Sequence, residues 1–322
     1  MPEGPECYKY ARSLDKTLAG KHLVGVHILG GRYAKHGQPD GLANLEAAIV
    51  GADTDSASVA FVEVKSKGKL IYFNLSNQMT ILSTLGLMGK WTRTKCKHCG
   101  IAVEYRGGGD KGSNMIYFKD QIHYGTLSVI NTTDLPKKLK TLGIDVLDRD
   151  SFTWDAFLVR ARRNAKNTLP VFLMKQNVLC GIGNYLKAEI IYASRSSLTS
   201  PIADYTDAQL RRVYDACYTI PYQATFGKFS LCVYNRSRDR LGNKVYTAKT
   251  PDKRTTYWVP AVCPIDIKTD CPAAENGWVS RMLGGDGDDA AASSGSVDGS
   301  DGDGEGSPNV AYRDELSNEH DA

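Results

Sequence analysis

An α+β fold is predicted by three features of the sequence: helical spacing at the N-terminus, short β-branched and aromatic runs up to about residue 147, and a return to helical spacing from Asp148. In the first segment Cys7, Tyr10, Ala11, Leu14 and Leu18 fall on one helical face, and Gly20 closes the run. Residues 23–29, 59–64, 69–75, 79–83, 115–119 and 126–130 read as strands separated by Gly, Asn and Asp clusters, in a sandwich or barrel. Residues 153–163, 169–176, 184–193 and 207–220 read as helices. Thr206 is the N-cap of the last, whose Leu210, Val213, Tyr214, Cys217 and Ile220 share a face. Two further strands, 244–248 and 255–259, are joined by the basic turn Lys249-Thr250-Pro251-Asp252-Lys253-Arg254.

A chain of 322 residues is long enough for two domains and a tail, and 42% hydrophobic content marks it as globular. No apolar run reaches the roughly eighteen residues of a membrane span, and the N-terminus lacks the basic and apolar regions of a secretory signal. The eight scattered cysteines then read as reduced thiols of an intracellular protein with no membrane partner. The net charge of +4 conceals an asymmetry. Residues 284–322 hold 11 Asp and Glu against one Arg, a net of −10, which leaves 39 basic and 25 acidic residues, or +14, in residues 1–283. A body that basic points to a polyanionic partner, nucleic acid first, although charge alone does not separate DNA from RNA or an acidic membrane surface. No aromatic-rich sheet motif supports RNA. The Gly/Asp/Ser-rich tail is expected to be disordered.

Three places carry candidate chemistry. With Met1 removed, Pro2 presents a secondary amine beside Glu3 at the mouth of a helix. Such an amine attacks an aldehyde-like carbon and forms an iminium ion, which is covalent catalysis without Ser, Cys or a metal. Its reference pKa of about 7.7–8.0 leaves roughly a tenth neutral at pH 7, and the positive helix end enlarges that fraction. The same residues also suit the first turn of an ordinary helix. The second place is the turn through Gly181 and Gly183 into Asn184, fit for a phosphate at a helix N-terminus or for plain N-capping by Asn184. A dinucleotide fingerprint fits poorly, because Leu186 occupies the third glycine position and no strand is expected before it. The third is the basic turn, where Arg254, flanked by Lys249 and Lys253, suits bidentate phosphate capture or simple solvation. Cys96-Lys97-His98-Cys99 is a lone C-x-x-C; a second half-site would have to come from His123, Cys263 or Cys271, so paired thiols are expected there and no metal.

Taken in this order, these places resemble the formamidopyrimidine-DNA glycosylase and endonuclease VIII family of base-excision repair enzymes. The likeness runs through residues 2–263. It is carried by Met1-Pro2-Glu3-Gly4-Pro5-Glu6, Lys67-Gly68-Lys69, Leu85-Gly86-Leu87-Met88-Gly89, Gly181-Ile182-Gly183-Asn184, Val233-Tyr234-Asn235-Arg236 and Lys253-Arg254-Thr255-Thr256-Tyr257. The resemblance implies a β-sandwich domain bearing the catalytic helix (2–147), a helix-two-turn-helix domain (148–228), a hairpin finger (229–263), and a linker with the acidic tail (264–322). It implies a monomeric, cofactor-free bifunctional DNA glycosylase and AP lyase, placed in a nucleus or other DNA-containing compartment if the source is eukaryotic or viral. Its partner would be damaged double-stranded DNA, with single strands left open. The damaged nucleotide must be flipped out, since C1′ of a stacked nucleotide is out of reach.

The family's roles map onto matching positions. By the resemblance, Pro2 attacks C1′, Glu3 is the general acid, Glu6 supports the site, and Lys69 completes the catalytic set. Lys69, Asn184 and Arg254 clamp phosphates around the lesion, with Lys253 beside them. His123 matches a phosphate-contact arginine and carries that charge only when protonated. Leu87, Ile122 and Tyr124 match the side chains that fill the gap left by the flipped nucleotide. The guanine-lesion branch uses an Arg at the position of Ile122, and Ile donates nothing to cytosine's acceptor edge. Expected substrates therefore shift to oxidised pyrimidines and ring-opened or further-oxidised purines. Many members hold the finger with two C-x-x-C pairs around zinc. Val259 and Val262 stand at the second pair here, and no pair precedes Lys244, so a zincless finger is expected. The alternatives are an enzyme directed to 8-oxoguanine and formamidopyrimidines, and a damaged-DNA binder without chemistry; Pro2, Glu3 and Lys69 together favour the enzyme.

Overall fold

The computed structural model describes residues 2–51, 58–107 and 112–269. Met1, Cys271 and the acidic tail, with the expectations that fall on them, lie outside the described residues. Helix α1 (Gly4–Leu18) starts with Pro5 in its first turn and buries Cys7, Tyr10, Ala11, Leu14 and Leu18, the face that the spacing predicts.

Beyond it come β1 (His22–Ile28), α2 (Gly31–His36), α3 (Leu42–Val50), β2 (Phe61–Lys67), β3 (Leu70–Leu75), β4 (Met79–Thr84), β5 (Lys90–Thr92), β6 (Cys99–Arg106), β7 (Asn114–Lys119) and β8 (Thr126–Asn131). The strands form two four-stranded antiparallel sheets, ordered β1-β6-β7-β5 and β2-β3-β4-β8. Side-chain alternation along β3 explains its two covers. Ile71 and Phe73 enter the core shared with Trp91, Ile101 and Phe118 of the other sheet, whereas Leu70 and Tyr72 pack with Leu135 and Leu139 of α4 (Leu135–Lys140). Phe73 and Trp91 meet edge to face between the sheets, with centroids 5.5 Å apart. Strands β5 and β6 and helices α2–α4 go beyond the sequence expectation. The start of β6 is masked by Cys99 and Gly100, and its inward alternation of Ile101, Val103 and Tyr105 follows only afterwards.

The second body holds β9 (Ile144–Asp145), α5 (Trp154–Arg163), α6 (Leu169–Met174), β10 (Leu179–Cys180), α7 (Asn184–Ala193), α8 (Asp207–Phe226) and the hairpin β11 (Tyr246–Lys249) and β12 (Thr255–Trp258). The Thr153 hydroxyl caps α5, and Thr206 and Gln209 form a capping box on α8. Two expectations are corrected here. A strand does precede Gly181: β10 pairs in parallel with β9 through Leu179–Ile144 and Cys180–Asp145. Helix α8 does not stop at Ile220 but continues through Pro221 to Phe226. Burial of Pro221, Ala224 and Thr225 outweighs the hydrogen bond that proline removes. Among the described residues no helix is long and apolar enough to cross a membrane.

The two bodies meet through close backbone approaches and through side-chain hydrogen bonds. Gly4 N donates to Gly181 O at 2.8 Å. Gly68, in the β2–β3 turn at φ +56°, donates its N–H to Asp145 Oδ2 at 2.7 Å. A Cβ at Gly68 would come within 2.7 Å of the Cys180 Cβ.

Two stability outcomes follow from this packing. Phe73→Ala should cost about 3–5 kcal/mol in urea unfolding, because it opens a cavity where the two sheets meet. Gly68→Ala should cost more than about 1 kcal/mol, from a disfavoured φ and the clash with Cys180 together; an unchanged midpoint would count against this joint.

Candidate active site

Glu3 has no exposed surface. Its Oε2 accepts the N–H groups of Gly183 at 2.6 Å and Leu186 at 3.2 Å, and its Oε1 accepts that of Tyr185 at 2.9 Å. These donors belong to the N-terminus of α7, so a residue at the start of α1 caps a helix in the other body. Burial pushes the Glu3 carboxyl up to about 7, opposed by Lys69 and by the Tyr185 and Gly183 N–H groups, while Glu6 adds a further upward push. A carboxyl poised there exchanges its proton near neutral pH.

Lys69 begins the return from the β2–β3 turn. Burial depresses its ammonium below the ordinary lysine value, and Glu3 pulls the other way. Gly183 lies between the two groups: a Cβ on it would stand 2.4 Å from Glu3 Oε1 and 2.6 Å from Lys69 Nζ, so only hydrogen fits. Asp145 holds the turn that presents Lys69, accepting Gly68 N on Oδ2 and Leu147 N at 3.0 Å on Oδ1. Glu6 accepts Glu3 N at 2.8 Å and the Tyr185 hydroxyl at 3.0 Å. Burial, reinforced by Glu6, raises the Tyr185 hydroxyl well above its ordinary range, so it remains a donor. Gln176 braces the turn before α7, donating to Ile182 O at 2.8 Å and accepting Gly181 N at 3.2 Å.

Asn184 is the first helical residue of α7 and not its N-cap, which is Gly183. The Asn184 side chain donates to Thr255 O at 2.9 Å and so ties α7 to the hairpin next to Arg254. Arg254 is exposed, yet near enough to Lys69 to depress the ammonium further. Lys253 is exposed at the tip with φ +62°. Beside Pro2 and Lys69 opens a cleft of about 330 Å³, walled by Leu70, Leu82, Thr84, Ser128, Leu142 and Lys138 among others, and no described carboxylate lines it. Two lysines, several hydroxyls and no acid make it a seat for an anionic ligand.

Pro2, Glu3, Glu6, Lys69, Asn184 and Arg254 are thus brought together. Leu87, Ile122 and Tyr124 lie on the β4–β5 and β7–β8 loops, which meet at Gly86 and Tyr124 and form a rim of the same cleft, with Leu87 and Ile122 half-buried and Tyr124 63% exposed. The Thr84 and Thr126 hydroxyls join the bases of these loops at 2.7 Å. Asp120 shapes the second loop by accepting Ile122 N at 3.2 Å and Gly125 N at 2.6 Å. His123 does not join the convergent set; its ring packs over Gly31 at the start of α2. The Cys96 and Cys99 sulfurs stand 3.4 Å apart, while Cys263 is buried in the helical body against Ile191 O. Among the described residues no group of three or more His, Cys, Asp or Glu side chains is arranged to hold a metal ion.

Sequence reasoning missed Tyr185, Asp145, Asp120 and two buried charges of α7, Lys187 and Glu189. Lys187 and Glu189 were detectable as charges embedded in an otherwise apolar helix. Glu189 accepts the N–H groups of Cys232, Val233 and Tyr234 at 2.9–3.0 Å and anchors the segment entering the hairpin.

Residues 1–127 match the formamidopyrimidine-DNA glycosylase N-terminal domain, and residues 223–263 match the C-terminal domain of the same enzyme. The formamidopyrimidine-DNA glycosylase of Mycoplasma genitalium is 29% identical over 201 residues, covering 61% of this chain and 65% of that protein. Endonuclease 8 of Salmonella arizonae is 26% identical over 282 residues, 81% of this chain and 98% of that protein. The Lactococcus lactis formamidopyrimidine-DNA glycosylase, solved non-covalently bound to DNA containing an AP site, superposes with a TM-score of 0.68 at 18% identity. That overlap covers 81% of this chain and 99% of the other, and shows the same fold. With both domain matches in sequence order and the fold in common, the chain belongs to the formamidopyrimidine-DNA glycosylase and endonuclease VIII family.

Proposed function

We propose that the protein is a bifunctional DNA glycosylase and AP lyase of base-excision repair, working through the Pro2 amine on oxidised pyrimidines and on ring-opened or further-oxidised purines. The observation that carries this reading is the fully buried Glu3 carboxyl, bound by the N-terminus of α7, next to the Pro2 and Lys69 that line the cleft. The neutral Pro2 amine attacks C1′ of the flipped nucleotide, the glycosidic bond breaks with its electrons leaving on the base, and the base takes up the proton that the Pro2 nitrogen releases. Protonated Glu3 donates to the sugar ring oxygen as the ring opens to the iminium. That cation acidifies the C2′ proton; its loss breaks the C3′–O bond, and a second elimination breaks the C5′–O bond.

Lys69, Asn184 and Arg254 would hold the flanking phosphates, and Leu87, Ile122 and Tyr124 would occupy the vacated stack. An apolar Ile122 on that rim supports loose demands on the opposite base. Oxidised-pyrimidine DNA is the ligand of one solved complex of the Lactococcus lactis relative. In the same reading the two sheets are a β-sandwich, the helical body is a helix-two-turn-helix domain, and β11–β12 is a zincless finger. Its donor set supports this: Val259 is buried in the helical core, and Cys232 and Cys263 are buried with their thiols directed at Ser230 O and Ile191 O. That set does not fit a four-thiolate metal site.

Borohydride should trap a covalent complex with abasic or thymine-glycol DNA, and Pro2→Gly or retention of Met1 should abolish it. A pure protein that neither nicks nor traps would be a DNA-gripping scaffold. Glu3→Gln should slow base excision by about 10²–10⁴-fold, the usual worth of a general acid, yet still allow trapping on a pre-formed abasic site. Excision by the native chain should fall as pH rises through about 7, because Glu3 then loses the proton that it donates. Lys69→Met removes a charge that holds this carboxyl down, so the descending limb of the pH–rate profile should move to higher pH; a shift the other way would contradict the assignment.

A further inference from the structure

Lys187 and Asp252 form an ion pair at 2.6 Å with side chains 0% and 6% exposed. Lys187 lies three positions after Asn184 on α7, while Asp252 sits in the turn that carries Arg254. The turn closes around Asp252: its Oδ1 accepts the Thr250 hydroxyl and, at 3.4 Å, Arg254 N. Thr250 N donates to Arg254 O at 3.1 Å, and the Thr250 hydroxyl also meets that of Thr256 at 2.8 Å. One buried carboxylate therefore connects the backbone of Arg254 to the helix whose N-terminus binds Glu3. Burial depresses the Lys187 ammonium, and Asp252 opposes that fall.

We infer that Lys187 and Asp252 are positioning residues that fix Arg254 near Lys69, holding the hairpin tip where many relatives use a metal. The inference rests on the proposed function, in which Arg254 grips a DNA phosphate. Stability alone is a weak reason for such a pair, since apolar residues of similar volume often replace a buried ion pair without loss. What apolar residues cannot supply is the acceptor for the Arg254 N–H.

The test is affinity for a duplex bearing a tetrahydrofuran abasic-site analogue, measured over a range of KCl concentrations. Arg254→Ala should weaken binding roughly tenfold and reduce the slope of log K against log [salt] by about 0.9, the value of one lost phosphate contact. Asp252→Ala, which removes the acceptor, should reproduce both changes, and the Arg254→Ala, Asp252→Ala double variant should bind no worse than either single one. Losses that add to about a hundredfold, or wild-type affinity and slope in Asp252→Ala, would overturn the inference. A Lys187→Met, Asp252→Leu variant guards against misfolding. It should keep the native Tm and still bind like Arg254→Ala, and native binding by it would also overturn the inference. Trapping of the native chain is read in parallel; its absence with intact binding rejects the glycosylase reading and leaves the positioning role standing.

Discussion

The Glu3 carboxylate accepts hydrogen bonds from the first turn of a helix about 180 residues later in the chain, in the other half of the molecule. An unpaired acid at zero exposure would be very costly, so the two bodies must stay docked as long as Glu3 is buried. Docking in turn brings Asn184 and the turn that carries Arg254 up to Pro2 and Lys69 of the first body. At two points the joint brings backbone in so closely, Gly4 against Gly181 and Gly68 against Cys180, that a side chain on either glycine would not fit.

Helix α7 carries the consequences outward. Its N-terminus binds Glu3, Asn184 reaches the strand after Arg254, Lys187 holds the hairpin turn, and Glu189 holds the segment leading into the hairpin. Three polar side chains on a buried helix would be a liability in an ordinary core, and here each has a partner in a different element. A single rigid helix thereby sets the spacing between the acid, the turn beneath it and the guanidinium above it.

Opposed electrostatic effects keep the site near a balance point. Burial favours neutral forms of both Glu3 and Lys69, while each opposes the shift of the other. Arg254 adds positive charge and Glu6 negative charge to the same small volume. A proton can then move at neutral pH with little cost, which is what a general acid requires.

The α+β class, the face of α1, the bounds of α7 and the hairpin were legible in the sequence, because each depends on local spacing of apolar residues and turn formers. The chemistry of Pro2 and Glu3 was legible as residue types at a helix mouth. Tyr185, Asp145 and the Lys187–Asp252 pair were not, because each acts across 65 or more positions of chain. Strands β5 and β6 were missed because one is short and the other starts at Cys99 and Gly100, where alternation is hidden. Local propensity thus determined which segments are helix or strand and which side chains could react. Only the docking of the two bodies decided that Glu3 is buried and raised to about 7, since that value arises from burial and from groups distant in sequence.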